Sequence, residues 1–203
     1  MLSKKQRLLK RSFDVTFSIV GIILCSLPIL LLIVIATIST KKFGIFKQER
    51  IGKNGKPFFM YKIRTMRKGD IDNHITLIND PRITKTGYFL RKTRLDELPQ
   101  LFNIVKGDMS FVGPRPDIKG YADLLDGEDR IILSVRPGLT GPATLRFRDE
   151  DALLNNVVDP QEYNDAVIWP QKVAINKQYI ENWSFYKDIK YIILSIFPNF
   201  DNF

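Results

Sequence analysis

The stretch VTFSIVGIILCSLPILLLIVIATI, residues 15–38, contains no charged side chain and decides the fold class of this 203-residue chain. A helix of this length reaches roughly 36 Å at about 1.5 Å per residue, which is enough to cross a bilayer. Pro28 removes a backbone hydrogen bond near its middle, and Ser26 is close enough in sequence to satisfy backbone groups that become free there. We therefore expect a helix that bends sharply at Pro28.

Basic residues lie densely on both sides of this apolar segment. Residues 1–14 contain five Lys and Arg and residues 41–68 contain ten, whereas acids slightly outnumber bases in the rest of a chain of net charge +9. Because basic residues mark the cytoplasmic side of a membrane protein, a straight span would carry one cluster across the bilayer. A re-entrant helix that turns at Pro28 keeps both clusters and both termini in the cytoplasm, beside anionic lipid. A straight span and a buried helix of a soluble protein are the alternatives.

Short periodic patterns predict the remaining elements. Apolar and aromatic runs within residues 41–68, with turn signals at Gly52 and Gly55, indicate a small hairpin. A helix ending at Gly107 is predicted from an apolar stripe. The stripe consists of Leu98, Leu101, Phe102 and Val105. Two more helices are predicted, one over residues 171–181 and one that begins after Ser184 as its N-cap. The apolar face of the second helix contains Ile189, Ile192, Ile193, Ile196 and Phe197.

These elements predict an α+β fold that is mostly helical, with a small β element. The protein would be monotopic, with an N-terminal re-entrant helix and amphipathic helices on the membrane surface, although the last helix could equally pack on the core. Residues 1–40 would form the basic N-terminus and membrane helix. Residues 41–203 would form a cytoplasmic, membrane-associated domain.

The densest polar sequence is LRKTRLDELPQLFNIVKGDMSFVGPRP, residues 90–116. Asp96 and Glu97 fall in the first turn of the predicted helix, where free N–H groups keep carboxylates ionised. Neighbouring helical positions point about 100° apart, so the two carboxylates should divide the work. An ionised Asp96 can attack phosphorus, while Glu97 beside it can hold Mg²⁺. Arg91 and Arg115 are candidates to bind phosphate oxygens.

Cysteine and histidine are too scarce for other kinds of site. Cys25 and His74 are the single residues of their types, which excludes an internal disulfide and a structural zinc site. A metal would therefore sit on carboxylates and phosphates. Asp70 and Asp72 form a D-x-D pattern, a weak signal for a metal-dependent glycosyltransferase.

The run DPRITKTGYFLRKTRLDELPQLFNIVKGDMSFVGPRP, residues 80–116, closely resembles the signature of the bacterial sugar transferases, the monotopic polyprenol-phosphate phosphoglycosyl transferases. The resemblance extends over most of the chain. It includes KRSFD at 10–14, the proline-broken apolar segment, YKIRTM at 61–66, RPGLTG at 136–141 and NWSF at 182–185. The chain looks like the minimal catalytic unit of that family.

The resemblance implies an activity and a set of site residues. A sugar 1-phosphate would pass from a UDP-sugar to undecaprenyl phosphate at the cytoplasmic face of the bacterial inner membrane, releasing UMP and starting a lipid-linked glycan. By the same resemblance Asp96 would be the nucleophile, and Glu97 its partner at Mg²⁺. The phosphate contacts would be Arg91, Arg115, Lys62 and Arg136. A re-entrant helix with its bend at Ser26 and Pro28 is also what this family uses.

Departures from the family pattern leave the sugar open. Pro142-Ala143-Thr144 stands where many members resemble G-W-A-Q, and Asn176 stands where many have an aspartate. Two other functions remain to be separated from the first: a metal-dependent glycosyltransferase that moves the sugar alone, and a non-enzymatic basic module tethered to anionic lipid. Nucleic acid is not an expected partner of the transferase, and a homodimer is a possibility.

Overall fold

The computed structural model describes residues 2–67 and 80–197, and it is mostly helical with two small sheets in that part of the chain. The α-helices are α1 Lys4–Thr40, α2 Lys85–Lys92, α3 Gln100–Lys106, α4 Pro142–Arg146, α5 Glu150–Leu154, α6 Pro160–Tyr163, α7 Trp169–Glu181 and α8 Phe185–Ile196. The strands are β1 Ile45–Ile51, β2 Pro57–Ile63, β3 Ser110–Val112 and β4 Gly138–Thr140. The predicted fold class, α+β and mostly helical, is confirmed at this level.

Helix α1 is 37 residues long and is the one helix of the described residues that is long and apolar enough to cross a membrane. Only 11% of its most apolar window is buried within the protein. Its start is fixed by a capping box, in which Ser3 and Gln6 exchange hydrogen bonds. The helix is continuous through Pro28, and Ser26 donates to the carbonyl oxygen of Ile23 at 2.9 Å, in the turn before the proline. The re-entrant path itself stays a prediction.

Charged residues near the start of α1 bind the body of the domain. The Lys10 ammonium lies 2.6 Å from an oxygen of Asp188 in α8, and both side chains are buried. Asp14 accepts hydrogen bonds from the Ser110 hydroxyl and the Phe111 amide at the start of β3, each at 3.1 Å. The N-terminal part of α1 is therefore fixed to α8 and β3 by buried polar contacts, for which a lipid-facing helix would have no partners.

The C-terminal part of α1 packs on the same domain through apolar contacts. Ala36 joins Ile63 of β2 and Leu90 of α2 in one buried cluster, and Leu32 and Ile33 pack against it. Between the two anchored ends, the large side chains that project from α1 are largely exposed. They include Ile23, Leu24, Leu27, Leu30 and Leu31. The middle of the apolar segment thus exposes most of its large side chains, although Ile29 within it is buried.

Strands β1 and β2 form the predicted antiparallel hairpin, with Ile45 opposite Ile63 and Ile51 opposite Pro57. Gly55 has a left-handed φ of 75°, so the turn signal is confirmed. The parallel pair β3 and β4, in which Ser110 lies opposite Gly138, had no sequence signal because each strand is only three residues long.

The helix after Pro99 ends at Gly107, as predicted, in a left-handed C-cap. Its buried face differs from the predicted stripe, because Phe102 is 44% exposed whereas Asn103 and Ile104 are fully buried. The reason is that α3 begins only at Gln100, after a separate 3₁₀ turn. A periodicity counted from the residues before Gln100 therefore has the wrong phase.

The two C-terminal helices occur where the sequence predicts them. Ser184 caps α8 by accepting a hydrogen bond from the Lys187 amide at 3.3 Å. The buried residues of α8 are Asp188 and Leu194, whereas Ile196 and Phe197 are largely exposed. The predicted apolar face is therefore only partly used for packing within the domain.

Candidate active site

A short 3₁₀ helix, Leu95–Glu97, presents the two predicted catalytic carboxylates. Arg94 adopts a left-handed conformation with φ of 55°, which turns the chain sharply after α2. Asp96 and Glu97 are only 7% and 8% exposed. The pair lies on a separate 3₁₀ turn and not, as predicted, in the first turn of α3, because α3 begins only at Gln100. Successive residues of a 3₁₀ helix point about 120° apart, so the two carboxylates still point in different directions.

Glu97 is held in its ionised form by two cations. An Oε1 to Nη2 distance of 2.8 Å joins it to Arg115, and Lys62 Nζ lies 3.8 Å from the same oxygen. Burial alone would raise the pKa of Glu97, but the charges of Arg115 and Lys62 outweigh it and lower the pKa to about 2. The pKa of Lys62 is lowered to about 8, mainly by burial and then by the positive charge of Arg115.

Asp96 has the opposite electrostatic character. Burial, followed by repulsion from Glu97, raises its pKa to about 6, although Lys62, Arg91 and Arg115 act in the other direction. Adjacent carboxylates whose pKa values are driven apart are typical of an acid–base or nucleophilic pair. The charge of Asp96 is thus less compensated than that of Glu97, and its role as the nucleophile stays a prediction.

Arg91 and Arg115, the two arginines predicted to bind phosphate, both lie near the carboxylate pair. Both act electrostatically on Asp96, and the Arg115 side chain keeps 41% exposure while it binds Glu97. Arg91 donates weakly to the sulfur of Met66 at 3.7 Å. Each guanidinium therefore retains donors that a substrate phosphate can use.

Arg136 contacts the C-terminal end of α3, and its role as a phosphate ligand stays a prediction. Its Nε donates to the carbonyl oxygen of Gly107 at 2.7 Å, at the C-terminal end of α3. Arg11 binds the carbonyl oxygens of Ile104 and Val105 at the same end, at 2.6 and 2.8 Å. These two guanidinium groups satisfy helix carbonyls that lack intrahelical partners. The sequence motif gave no indication of this partner of Arg136.

The sequence missed a second group of charged residues beside the pair. It contains Arg50 of β1, Asp117 after the Pro-Arg-Pro turn, and Lys172 of α7, whose Nζ binds both carboxylate oxygens of Glu150 at 2.7 Å. Burial raises the pKa of Asp117 to about 6, against the charges of Lys172 and Arg50. The alternation of the hairpin, which places Arg50 on the same face as Lys62, was the one signal in the sequence for this group.

The donor atoms of the site fit Mg²⁺ only together with a substrate. Among the described residues there is no cluster of three or more His, Cys, Asp or Glu. Asp96 and Glu97 supply two adjacent carboxylates, and Mg²⁺ is commonly held by one or two carboxylates plus substrate phosphates and water. Asp70, Asp72 and His74 lie outside the described residues.

A buried carboxylate pair surrounded by lysine and arginine, in a domain fixed to a long exposed apolar helix, is suited to a phosphorylated substrate and consistent with membrane association. The comparison with known families agrees with this description. The model of the bacterial sugar transferase family matches residues 5–201. The chain belongs to this family, which confirms the resemblance seen in the sequence.

Three similar proteins differ in the share of their own length that this chain matches. The uncharacterized sugar transferase EpsL of Bacillus subtilis is 37% identical over 93% of this chain and 86% of its own length. The UDP-glucose:undecaprenyl-phosphate glucose-1-phosphate transferase of Escherichia coli is 37% identical over 99% of this chain and 42% of its own length. The undecaprenyl-phosphate galactose phosphotransferase of Salmonella typhimurium is 32% identical over 93% of this chain and 40% of its own length. The chain thus spans about four-tenths of the relatives named for a reaction.

Proposed function

We propose that this protein is a polyprenol-phosphate phosphoglycosyl transferase, which moves a sugar 1-phosphate from a UDP-sugar to undecaprenyl phosphate and releases UMP. The observation that carries the proposal is the buried pair Asp96 and Glu97, with one pKa raised to about 6 and the other lowered to about 2. The relatives named for glucose-1-phosphate and galactose transfer to undecaprenyl phosphate support the substrate class.

In the first half-reaction the Asp96 carboxylate attacks the phosphorus that bears the sugar. The anhydride P–O bond breaks, and the bridging oxygen leaves with UMP. The product is an acyl phosphate between Asp96 and the phospho-sugar, so the total negative charge is conserved. Lys62 and Arg115 are placed beside Glu97 to bind oxygens of the transferring group, where charge develops.

In the second half-reaction a phosphate oxygen of undecaprenyl phosphate attacks the same phosphorus. The bond to Asp96 breaks and its carboxylate is restored, while the lipid becomes a diphosphate-linked sugar. The polyprenol phosphate needs little help from a base, because a phosphate with a second pKa of about 6 is already mostly dianionic at pH 7. A covalent nucleophile therefore explains Asp96 better than a general base does.

Mg²⁺ fits this scheme as a ligand of Asp96 and Glu97. When bound, the ion would neutralise charge on the substrate phosphates. Glu97 is suited to hold it because Arg115 and Lys62 keep its carboxylate ionised over the whole working range of pH.

We also propose that α1 is re-entrant, with both of its flanks on the cytoplasmic side. Asp14, just before the apolar segment, and Ala36, near its end, both contact the same domain, one at β3 and the other at β2 and α2. A segment that crossed the bilayer would place its two flanks on opposite sides, where a single domain cannot bind both of them. The exposed basic residues Lys41 and Lys42 would then lie beside anionic lipid.

Single cysteines at Ser3 and Lys42, in a Cys25→Ser background, test the topology. Neither should react with an impermeant thiol reagent added outside intact cells, and both should react after lysis. External labelling of Ser3→Cys alone would mean that α1 spans the membrane.

Intact-mass measurement tests the chemistry. Protein incubated with a UDP-sugar and no polyprenol phosphate should gain the mass of one phospho-sugar and release UMP, and Asp96→Asn should do neither. Asp129→Asn, an exposed acid far from the pair in sequence, is the control that should behave as wild type. Release of UDP instead of UMP would favour the glycosyltransferase alternative. Absence of an adduct together with intersecting double-reciprocal kinetics would mean direct displacement.

A further inference from the structure

Arg50 is a half-buried arginine at the end of β1 with an incomplete set of partners. Its Nη2 donates to the side-chain oxygen of Gln48 at 2.7 Å, and its Nη1 donates weakly to the carbonyl oxygen of Pro116 at 3.3 Å. Its Nε is buried and has no hydrogen-bond partner among the described residues. A buried guanidinium N–H without a partner is costly, and such positions are commonly completed by an anion.

The register of the hairpin places Arg50 on the active-site face. Lys62 lies opposite Phe46, and Arg50 follows Phe46 by four residues, so the side chains of Lys62 and Arg50 project from the same face of the sheet. Gln48 lies between them on that face. Pro116, which accepts from Arg50, directly follows Arg115, the partner of Glu97. Arg50 is therefore the next cation beyond the ones that surround the carboxylate pair.

The neighbouring charges leave Arg50 incompletely neutralised. Lys172 is occupied by Glu150, which it binds through both carboxylate oxygens. Asp117 faces Arg50 and Lys172, and burial raises its pKa. Burial, followed by the charge of Arg115, also lowers the pKa of Arg50, to about 10. Arg50 and Arg115 are close enough for their positive charges to repel each other, and Arg50 is also partly buried. Such a site is suited to bind a multiply charged anion.

We propose that Arg50, oriented by Gln48, binds the phosphate of the departing nucleoside monophosphate. The proposal rests on the proposed function and divides the donor diphosphate between two sets of cations. Lys62 and Arg115 bind the phosphate that is transferred to Asp96, and Arg50 binds the phosphate that leaves.

The change of charge on the departing phosphate explains why a cation at the position of Arg50 would favour the reaction. When the anhydride P–O bond breaks, its electron pair goes to the bridging oxygen, and the departing phosphate changes from one negative charge to about two. A cation fixed at that phosphate before reaction binds the product side more strongly than the substrate side, and so lowers the barrier. Arg50 is fixed in this way by its hydrogen bonds to Gln48 and Pro116.

Binding of UMP and of uridine to the purified full chain tests the assignment without any turnover. Wild type should bind UMP more tightly than uridine, and Arg50→Gln should weaken UMP binding by about 10- to 100-fold while uridine binding changes little. Lys47→Gln is the matched control, since Lys47 lies on the same strand but on its opposite, exposed face. Equal UMP affinity in wild type and Arg50→Gln would overturn the proposal.

The two half-reactions provide a second test. Arg50→Gln should slow adduct formation from the UDP-sugar, whereas transfer from a preformed adduct to polyprenol phosphate should keep its rate, because UMP has already left. Gln48→Ala keeps the charge of Arg50 but removes the hydrogen bond that orients it, so this variant should slow adduct formation by a smaller factor. Slowing of the second half-reaction alone would contradict the assignment. A wild type that releases no UMP would instead refute the proposed function.

A purely structural role for Arg50 makes a different prediction. If Arg50 served only to neutralise Asp117, then Asp117→Asn should restore UMP binding to the Arg50→Gln variant. On our proposal the double variant stays as weak as Arg50→Gln. Comparison of thermal unfolding midpoints in detergent, and the milder Gln48→Ala variant, keep the test decisive if Arg50→Gln folds poorly.

Discussion

The raised pKa of Asp96 predicts where the pH profile of the reaction falls on its acidic side. Asp96 must be ionised to attack phosphorus, and its pKa is raised to about 6 by burial and by Glu97. At low UDP-sugar concentration the rate reports the free enzyme, before Mg²⁺ enters with the substrate. The rate of adduct formation should therefore be halved near pH 6, rather than near the pH of about 4 expected for an exposed aspartate. The signal is the protein-bound phospho-sugar, measured by intact mass after rapid quenching.

Replacing Arg91 with Gln gives the magnitude of the effect. Arg91 is one of three cations that lower the pKa of Asp96, so its removal should raise that pKa further. A rise of about one unit would reduce the ionised fraction at pH 6 from about one half to roughly one tenth, a loss of about fivefold that vanishes above pH 8. Any loss of phosphate binding would lower the rate equally at all pH values, so the two effects are separable.

Asp117→Asn is the control for this prediction. Asp117 also has a pKa raised to about 6 by burial, so it is the one neighbouring carboxyl group that could imitate Asp96 in the profile. The acidic limb should stay in place when Asp117 is replaced. A limb that moves with Asp117→Asn, or that remains near pH 6 in Arg91→Gln, would refute the assignment of the limb to Asp96.

Three further predictions concern contacts of the site and of α1. Arg115→Lys should reduce turnover about 10- to 100-fold at constant charge, since an ammonium cannot bind Glu97 and a phosphate in the same fork geometry. Steady-state kinetics measure this loss, and near-normal turnover would mean that Arg115 does not belong to the site. Chelation of divalent ions should abolish transferase activity, and added Mg²⁺ should restore it. Glu97→Gln should require a higher Mg²⁺ concentration for half-maximal activity. Activity that is unaffected by chelation would exclude the metal proposal. Asp188→Ala should destabilise the protein by about 3–5 kcal/mol, because it leaves the buried Lys10 unpaired, whereas Glu128→Ala at an exposed pair should have a far smaller effect. Denaturant titration in detergent compares the two variants, and equal losses of stability would contradict this account.

Local patterns were sufficient for many individual elements of the fold. The hairpin, the end of α3 at Gly107 and the start of α8 at Ser184 depend on turn, C-cap and N-cap chemistry that acts within a few residues. The pairing of Asp96 with Glu97 on one turn was likewise a local property. The family resemblance was readable for the same reason, because its motif is nearly continuous in sequence.

The helical phase of α3 and the hydrogen-bond partner of Arg136 could not be predicted from local sequence patterns. Phe102 lies outside the buried face because the 3₁₀ turn before α3 shifts the helical periodicity, and no single residue signals that shift. Arg136 donates through Nε to the carbonyl oxygen of Gly107, a partner that its motif did not indicate. An arginine in a motif has the same appearance in sequence whether its partner is a phosphate or a helix end.

The sequence by itself determined that this protein has a long apolar helix between basic segments and a carboxylate pair suited to phosphate chemistry, because charge and hydrophobicity are properties of the residues. Only the tertiary structure decided how the pKa values of the two carboxyl groups differ. Arg115 and Lys62 come from a loop and a strand far from Glu97 in sequence, and their arrival lowers one pKa while burial raises the other. The pKa of a buried group depends on what the fold brings within a few ångströms of it, and chain order does not contain that information.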